Sequence, residues 1–350
     1  MKMYEHGGNV YDYNIEMIDF SSNINPLGVP PCVKKVIEDV VLTKYPDIKY
    51  RELKTSISEY IAYPLKNIIV GNGAAELIHL FVRAKHIKKP LIPSPAFAEY
   101  ERAVKLEGGA PIYYRIKEEE GFKLNVSEMA EMINEADSVI LGNPNNPTGQ
   151  PINHEEIRYL LNKALELNIP VMVDEAFIEF IYDYEKYEVI SYVKEFDNLF
   201  VVRAATKFFG MPGLRLGYGV GSSRMILKME DYKEPWTVNA FADMIGREIF
   251  KDKEYINETR RYINNEINFM LNELKKIDYL KVYETNVNFI LLKLKKGNVD
   301  VLKERLIKEG ILIRDASNFK YLDKRYFRVA VKKHEENMKL ITALEDMKWD

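Results

Sequence analysis

Between residues 35 and 240, short apolar runs alternate with amphipathic segments of helix length. Uninterrupted aliphatic runs suit strands covered on both faces. The segments between them suit helical crossovers, so the pattern predicts an α/β fold with a mostly parallel sheet. Strands are expected at Asn67–Gly71, Lys89–Pro93, Ala110–Arg115, Ser138–Leu141, Pro170–Asp174, Leu199–Arg203 and Gly217–Gly221. After the Pro235-Trp236 turn the texture changes. A long charged helical stretch, Ala240–Lys276, leads to strands near Asn288–Lys293, Ile311–Arg314 and Tyr326–Val331, which predicts a second, smaller α+β domain. The first thirty residues are rich in turn formers (Gly7-Gly8, Asn23 to Gly28, Pro30-Pro31) and too poor in apolar residues to build a core. The expected division is therefore an N-terminal arm over 1–34 packing on the small domain, a large domain over 35–240, and a small domain over 241–350. There is no internal repeat or low-complexity segment.

Composition narrows the class. At 350 residues and 47% hydrophobic, the chain can fill one large core or two unequal ones. A net charge of -3, from 50 basic and 53 acidic residues without a long basic run, argues against nucleic acid as the main partner. The single cysteine, Cys32, excludes an internal disulfide framework, and the N-terminal residues lack the apolar core of a signal peptide. A reducing cytoplasm is the expected setting. No apolar run approaches the roughly 20 residues that span a bilayer. The five histidines show no paired ligand spacing, so no metal site is expected.

Candidate chemistry collects where strands end. The segment from Arg203 to Tyr218 follows a strand and sets Lys207 and Arg215 among glycines. Apolar neighbours would desolvate the Lys207 ammonium and lower its pKa, as an imine-forming lysine needs, although an ordinary solvated lysine also fits the spacing. Arg215 offers a fixed positive charge for a phosphate. Asp174 closes the run Val171–Asp174 at the carboxyl edge of a strand, where ligands of open α/β sheets bind; a helix N-cap is the plainer use. The stretch Gly142–Gly149 is a turn signal that adds an amide donor, Asn146. Gly71–Glu76 ends a strand and opens a helix, leaving NH groups for a phosphate. Phe97 suits either a flat ligand ring or the core.

In this order, these elements resemble the aminotransferase class I/II superfamily of fold-type I pyridoxal 5'-phosphate (PLP) enzymes, and the resemblance runs through nearly the whole chain. It implies the PLP-dependent transferase fold of type I, with a mostly parallel seven-stranded sheet in the large domain. It also implies PLP as cofactor, with Lys207 as the Schiff-base lysine and Asp174 as partner of the pyridine nitrogen, the contact that makes the ring an electron sink. Asn146 is implied as donor to the phenolic oxygen and Phe97 as the stacking ring. Gly73, Ala74 and Arg215 are implied at the cofactor phosphate, with Thr206 adding a hydroxyl. Tyr45, within Lys44–Asp47, matches a tyrosine that reaches the cofactor phosphate of a neighbouring subunit, which implies a homodimer with shared sites. Two positions depart from the pattern. Phe177 stands where many members have a tyrosine that touches the phenolic oxygen, and Ala204 where a serine or threonine often binds the phosphate. One hydroxyl fewer would loosen that grip by about 1 kcal/mol.

Within the superfamily, His6–Asn9, Asp19–Gly28, Asp174–Phe177, Glu234–Asn239 and Gly310–Phe319 resemble the threonine-phosphate decarboxylases of cobalamin synthesis. The histidinol-phosphate aminotransferases share the scaffold and are the alternative, but typically have a tyrosine at the place of Phe177 and lack the His-Gly-Gly-Asn start. The resemblance implies a phosphorylated amino acid or amine as substrate, held by His6, Gly7, Asn23, Asn146, Arg314 and Arg328. Two guanidinium forks suit a phosphate, a carboxylate or both, while surface ion pairing is their other use. The orientation of the substrate carboxylate decides between loss of CO2 and loss of a proton. A PLP-binding regulator without catalysis is a third reading, opposed by the retained lysine, aspartate and arginines. A dinucleotide-binding dehydrogenase is opposed by the lack of a Gly-x-Gly-x-x-Gly turn after any strand.

Overall fold

Alternation within each apolar run assigns its side chains to two layers. Ile69, Ile140, Met172, Phe200 and Val202 pack on one side with Leu77, Phe81, Tyr100 and Val104. Their neighbours Val70, Val139, Leu141, Val171, Val173 and Val201 pack on the other with Ile157, Leu160 and Leu161. Both faces of the sheet are thus buried, which is why these strands read as continuous apolar runs. The computed structural model describes residues 6–349. After β1 (Ile18–Asp19) in the arm come β2 (Ile68–Asn72), β3 (Pro90–Ser94), β4 (Ile112–Arg115), β5 (Ser138–Gly142), β6 (Val171–Asp174), β7 (Leu199–Ala204) and β8 (Leu216–Gly221). These seven form one sheet in the order β2-β8-β7-β6-β5-β3-β4, in which β8 runs against both its neighbours. The remaining pairings are parallel.

Helices Gly73–Ala84 and Ala98–Leu106 cover one face, and His154–Glu166 covers the other. The last begins with a capping box, in which Asn153 accepts from the Glu156 amide and Glu156 reaches back to the Asn153 amide.

A second, antiparallel sheet is built from β9 (Leu280–Val282), β10 (Phe289–Leu294), β12 (Arg314–Asp315) and β13 (Tyr326–Ala330), in the order β12-β13-β10-β9. The strand expected over Ile311–Arg314 is divided. Its first half, β11 (Ile311–Leu312), pairs with β1 in parallel, while Arg314 and Asp315 turn to β13. The helix expected over Ala240–Lys276 is also divided, into Ala240–Ile249 and Lys253–Leu274. Asp252 accepts from the Tyr255 amide and starts the second helix afresh.

The arm is tied down through Phe20, whose amide donates to Leu312 O in β11 and whose carbonyl accepts from Ala330 N in the small sheet, each at 2.8 Å. It also reaches further than the small sheet. Asn25 donates from its backbone to Lys207 O at 3.1 Å and from its side chain to Phe208 O at 2.7 Å and Thr259 Oγ1 at 2.9 Å. No helix of the described residues is long and apolar enough to cross a membrane.

Candidate active site

The strand directions gather the candidate residues on one edge. β3, β5, β6 and β7 run the same way, so the segments leaving their carboxyl ends carry Phe97, Asn146, Asp174 and Lys207 to that edge. β8 is antiparallel to β7 and to β2. Its register, Leu216 opposite Asn72 and Gly217 opposite Ala204, therefore brings Arg215, just before β8, to the same edge as Gly73, just after β2.

A cavity of about 630 Å³ lies there. Ala74, Phe97, Asn146, Asp174, Thr206, Lys207 and Arg215 line it from the large sheet; Arg314 and Arg328 line it from the small sheet; His6, Gly7 and Asn23 line it from the arm. Phe177 and Ala204, the two departures from the family pattern, are also in its wall. Phe177 packs edge-on against Phe289, with ring centroids 5.0 Å apart.

Lys207 sits in the short helix Ala205–Phe208 after β7. Burial pushes its ammonium down to about 8, Arg328 and Arg215 add to the effect, and Asp19 opposes it. Burial likewise pushes the Asp174 carboxyl up to about 6, against two donors that favour its anion. These are the Tyr100 hydroxyl, 2.8 Å from Oδ2, and the Ala176 amide, 2.9 Å from Oδ1.

Gly73 has a φ of +75°, and a Cβ there would lie 2.5 Å from Arg215 Nη2. Only glycine lets the guanidinium cross the start of helix Gly73–Ala84, where no side chain caps the free amides. Gly73 itself is not part of the cavity wall, although Ala74 beside it is.

On the small sheet Arg314 and Arg328 are partners in register across β12 and β13, and both are buried. Arg328 donates to Asn146 Oδ1 and, at 3.0 Å, to Ser21 O, while its guanidinium lies 5.2 Å from the Phe289 ring centre. The Asn146 contact leaves the amide NH2 to donate elsewhere. Burial, and then Arg314, push the Arg328 pKa down to about 9. Arg314 donates to Asp315 O at 2.6 Å and to Asn318 Oδ1 at 2.8 Å. Asn23 is buried, and its Oδ1 has no hydrogen-bond partner among the described residues. Among those residues no group of three or more His, Cys, Asp or Glu is arranged to hold a metal ion.

Residues 15–344 match the family model described as aminotransferase class I and II. The chain belongs to this family. Within the aminotransferase class I and II family, the chain is 65% identical over 347 residues to a protein of Caldanaerobacter subterraneus subsp. tengcongensis provisionally named threonine-phosphate decarboxylase, covering 99% of this chain and 95% of that one. It is 32% identical to the threonine-phosphate decarboxylase of Salmonella typhimurium, over 98% and 96% of the two chains. The solved histidinol-phosphate aminotransferase from Clostridium acetobutylicum superposes with a TM-score of 0.87 at 36% identity, over 93% and 97% of the chains. The chain is an enzyme of a PLP-dependent family whose members include decarboxylases and aminotransferases.

Among the sequence-predicted residues, Tyr45 stands apart from the cavity. It is 79% exposed and stacks on Trp236, with centroids 4.6 Å apart. Reading the sequence missed Tyr100, Glu99, His79 and Arg102. The signal available for Tyr100 is its spacing, three residues after Phe97 at the start of a helix, which turns both rings to one side; the two meet edge-on at 5.7 Å.

Proposed function

We propose that the chain is a decarboxylase of L-threonine O-3-phosphate that works with PLP. The observation that carries this reading is the pairing of Arg314 with Arg328 on one cavity wall. Like charges directly opposite one another on neighbouring strands repel. Arg328 makes its hydrogen bonds to an amide and a carbonyl, neither of which neutralises it, and its Nε is a buried donor without a partner among the described residues. An anionic group on the ligand relieves Arg328, and a second anionic group suits the Arg314 fork beside it. Threonine phosphate carries a phosphate and a carboxylate.

The residues also fit the cofactor. A lysine with lowered pKa, a buried carboxyl with raised pKa, and an arginine crossing a glycine at an uncapped helix start line or border one cavity. Lys207 would carry PLP covalently, Asp174 would hold its ring nitrogen protonated, Asn146 would donate to its phenolic oxygen, and Phe97 would lie against the ring. Gly73, Ala74, Thr206 and Arg215 would hold its phosphate. Bound there, PLP supplies an electron sink for the electron pair released at the substrate Cα.

Catalysis by the chain's own groups is then a matter of orientation and proton handling. Of Arg314 and Arg328, one takes the phosphate and the other the carboxylate, which fixes the carboxylate so that the bond from Cα to it is the one that breaks, with His6, Gly7 and Asn23 closing the substrate side. CO2 leaves, and Lys207, freed when the substrate amine takes its place, would put a proton on Cα to give 1-amino-2-propanol phosphate. The cofactor-binding unit is taken as 35–240 and the small unit as 241–350, with the arm contributing to the substrate side. Tyr45 would reach the phosphate held by a second copy of the chain in a homodimer, a reading supported by its exposure beside exposed Val41 and Leu42. A cytoplasmic setting fits the lone free thiol, Cys32.

The likeness to the Clostridium acetobutylicum structure favours a second reading, transfer of the amino group of histidinol phosphate. That substrate carries one anionic group where threonine phosphate carries two, so it makes less use of the two forks. Incubation with threonine phosphate, followed by identification of CO2 and 1-amino-2-propanol phosphate, tests the proposal; absence of both products overturns it.

A further inference from the structure

A buried carboxylate in the cavity wall joins three separate pieces of chain. Glu99 lies in the first turn of helix Ala98–Leu106 and is 5% exposed. His6 Nε2 from the arm meets its Oε1 at 2.9 Å, and His79 Nε2 from helix Gly73–Ala84 meets its Oε2 at 3.2 Å. Arg102, one turn along, donates to both oxygens at 3.2 and 3.4 Å. Burial alone would raise the Glu99 pKa, but the bonds from His6, His79 and Arg102 more than offset it and hold the carboxyl well below the usual range. The group is therefore an anion at working pH. A buried anion persists only where its partners offset its desolvation, so losing one partner weakens the whole cluster.

The start of the arm, residues 6–8, is held at two points. Gly8 N donates to Ser21 Oγ at 2.7 Å, and a Cβ on Gly7 would lie 2.0 Å from Ser21 O, so the backbones touch there. The other point is His6 on Glu99. Both His6 and Gly7 line the cavity, and the His6 ring lies 5.7 Å from Phe97, tilted against it.

We infer that Glu99 is a positioning residue that latches the arm across the cavity and so makes His6 and Gly7 part of the substrate wall. The inference rests on the reading of this cavity as the substrate site. A latch of this kind acts first on substrate capture.

Hydrogen exchange of the arm, read by mass spectrometry on the cofactor-loaded enzyme without substrate, tests the latch directly. In Glu99→Gln, which keeps the shape and removes the charge, amides of residues 7–13 exchange about tenfold faster or more. His6→Ala, a change at a half-exposed position that the fold tolerates, releases the same amides. With phosphothreonine, Glu99→Gln raises KM about tenfold while kcat and cofactor content stay within about twofold. The Glu99→Gln, His6→Ala double variant loses no more than the worse single one, because both cut the same link. Unchanged arm exchange in either single variant, or additive losses in the double one, overturns the latch. Should the wild-type enzyme turn over neither phosphothreonine nor histidinol phosphate, the functional reading fails, and the exchange result still decides the latch.

Discussion

The Tyr100 hydroxyl donates to Oδ2 of Asp174 at 2.8 Å. Burial and the Asp174 charge push the Tyr100 phenol well above its ordinary pKa, so it stays a donor at any working pH. Asp174 is thereby held in one orientation at the end of β6, with its anion favoured against the burial that opposes it. Tyr100→Phe should keep PLP bound and lower kcat about three- to tenfold, the worth of one buried hydrogen bond. Steady-state kinetics at saturating cofactor checks this. An unchanged kcat removes Tyr100 from that role.

Lys207 gives a prediction with a definite sign. The neutral amine is the nucleophile, and a pKa of about 8 leaves a far larger neutral fraction at pH 7 than the ordinary lysine value of 10.5. Capture of PLP by the apoenzyme should fall about tenfold per pH unit below about 8 and level off above it. Stopped-flow absorbance measures the profile. A rate still climbing at pH 10 contradicts the lowered pKa. Borohydride reduction followed by peptide mapping should find the cofactor on Lys207, and Lys207→Ala should abolish both the label and turnover.

The opposed arginines predict a split in kinetic constants. Arg328→Lys keeps the charge and loses the fork that spans Asn146 Oδ1 and Ser21 O. KM for phosphothreonine should rise about ten- to a hundredfold, corresponding to a loss on the order of 1.4 to 3 kcal/mol. Retained cofactor absorbance will show that the site itself is intact. A KM within twofold of wild type means that Arg328 does not bind the substrate.

How far these groups were legible in the sequence depends on whether their signal is local. Asp174 ends an apolar strand and Lys207 follows another by three residues, and both were legible because the strand pattern itself marks the edge. The opposition of Arg314 and Arg328 is a matter of register between β12 and β13, which single-strand patterns do not carry. Glu99 finds His6 at a separation of 93 residues and Tyr100 finds Asp174 at 74, so neither link leaves a mark near its own position. β1 and β9 span two and three residues, too short for alternation to show. The break after Ile249 was hidden because charged residues flank it on both sides, and only the Asp252 cap reveals it.

Tyr45 carries the prediction on assembly. Its side chain is 79% exposed in the single chain and clear of the chain's own cavity. The enzyme should sediment as a dimer, and Tyr45→Phe should weaken PLP retention by about 1 kcal/mol, or roughly fivefold in Kd. An active monomer, or retention that does not change, contradicts a shared site.

The proposed reaction is tested most directly with one enzyme preparation offered two substrates in parallel. CO2 release is followed from L-threonine O-3-phosphate, and glutamate formation is followed from histidinol phosphate with 2-oxoglutarate. The two arginines, each matched by an anion of phosphothreonine, predict CO2 at a catalytic rate and little or no glutamate. Glutamate at a catalytic rate without CO2 would contradict the decarboxylase and make the chain an aminotransferase.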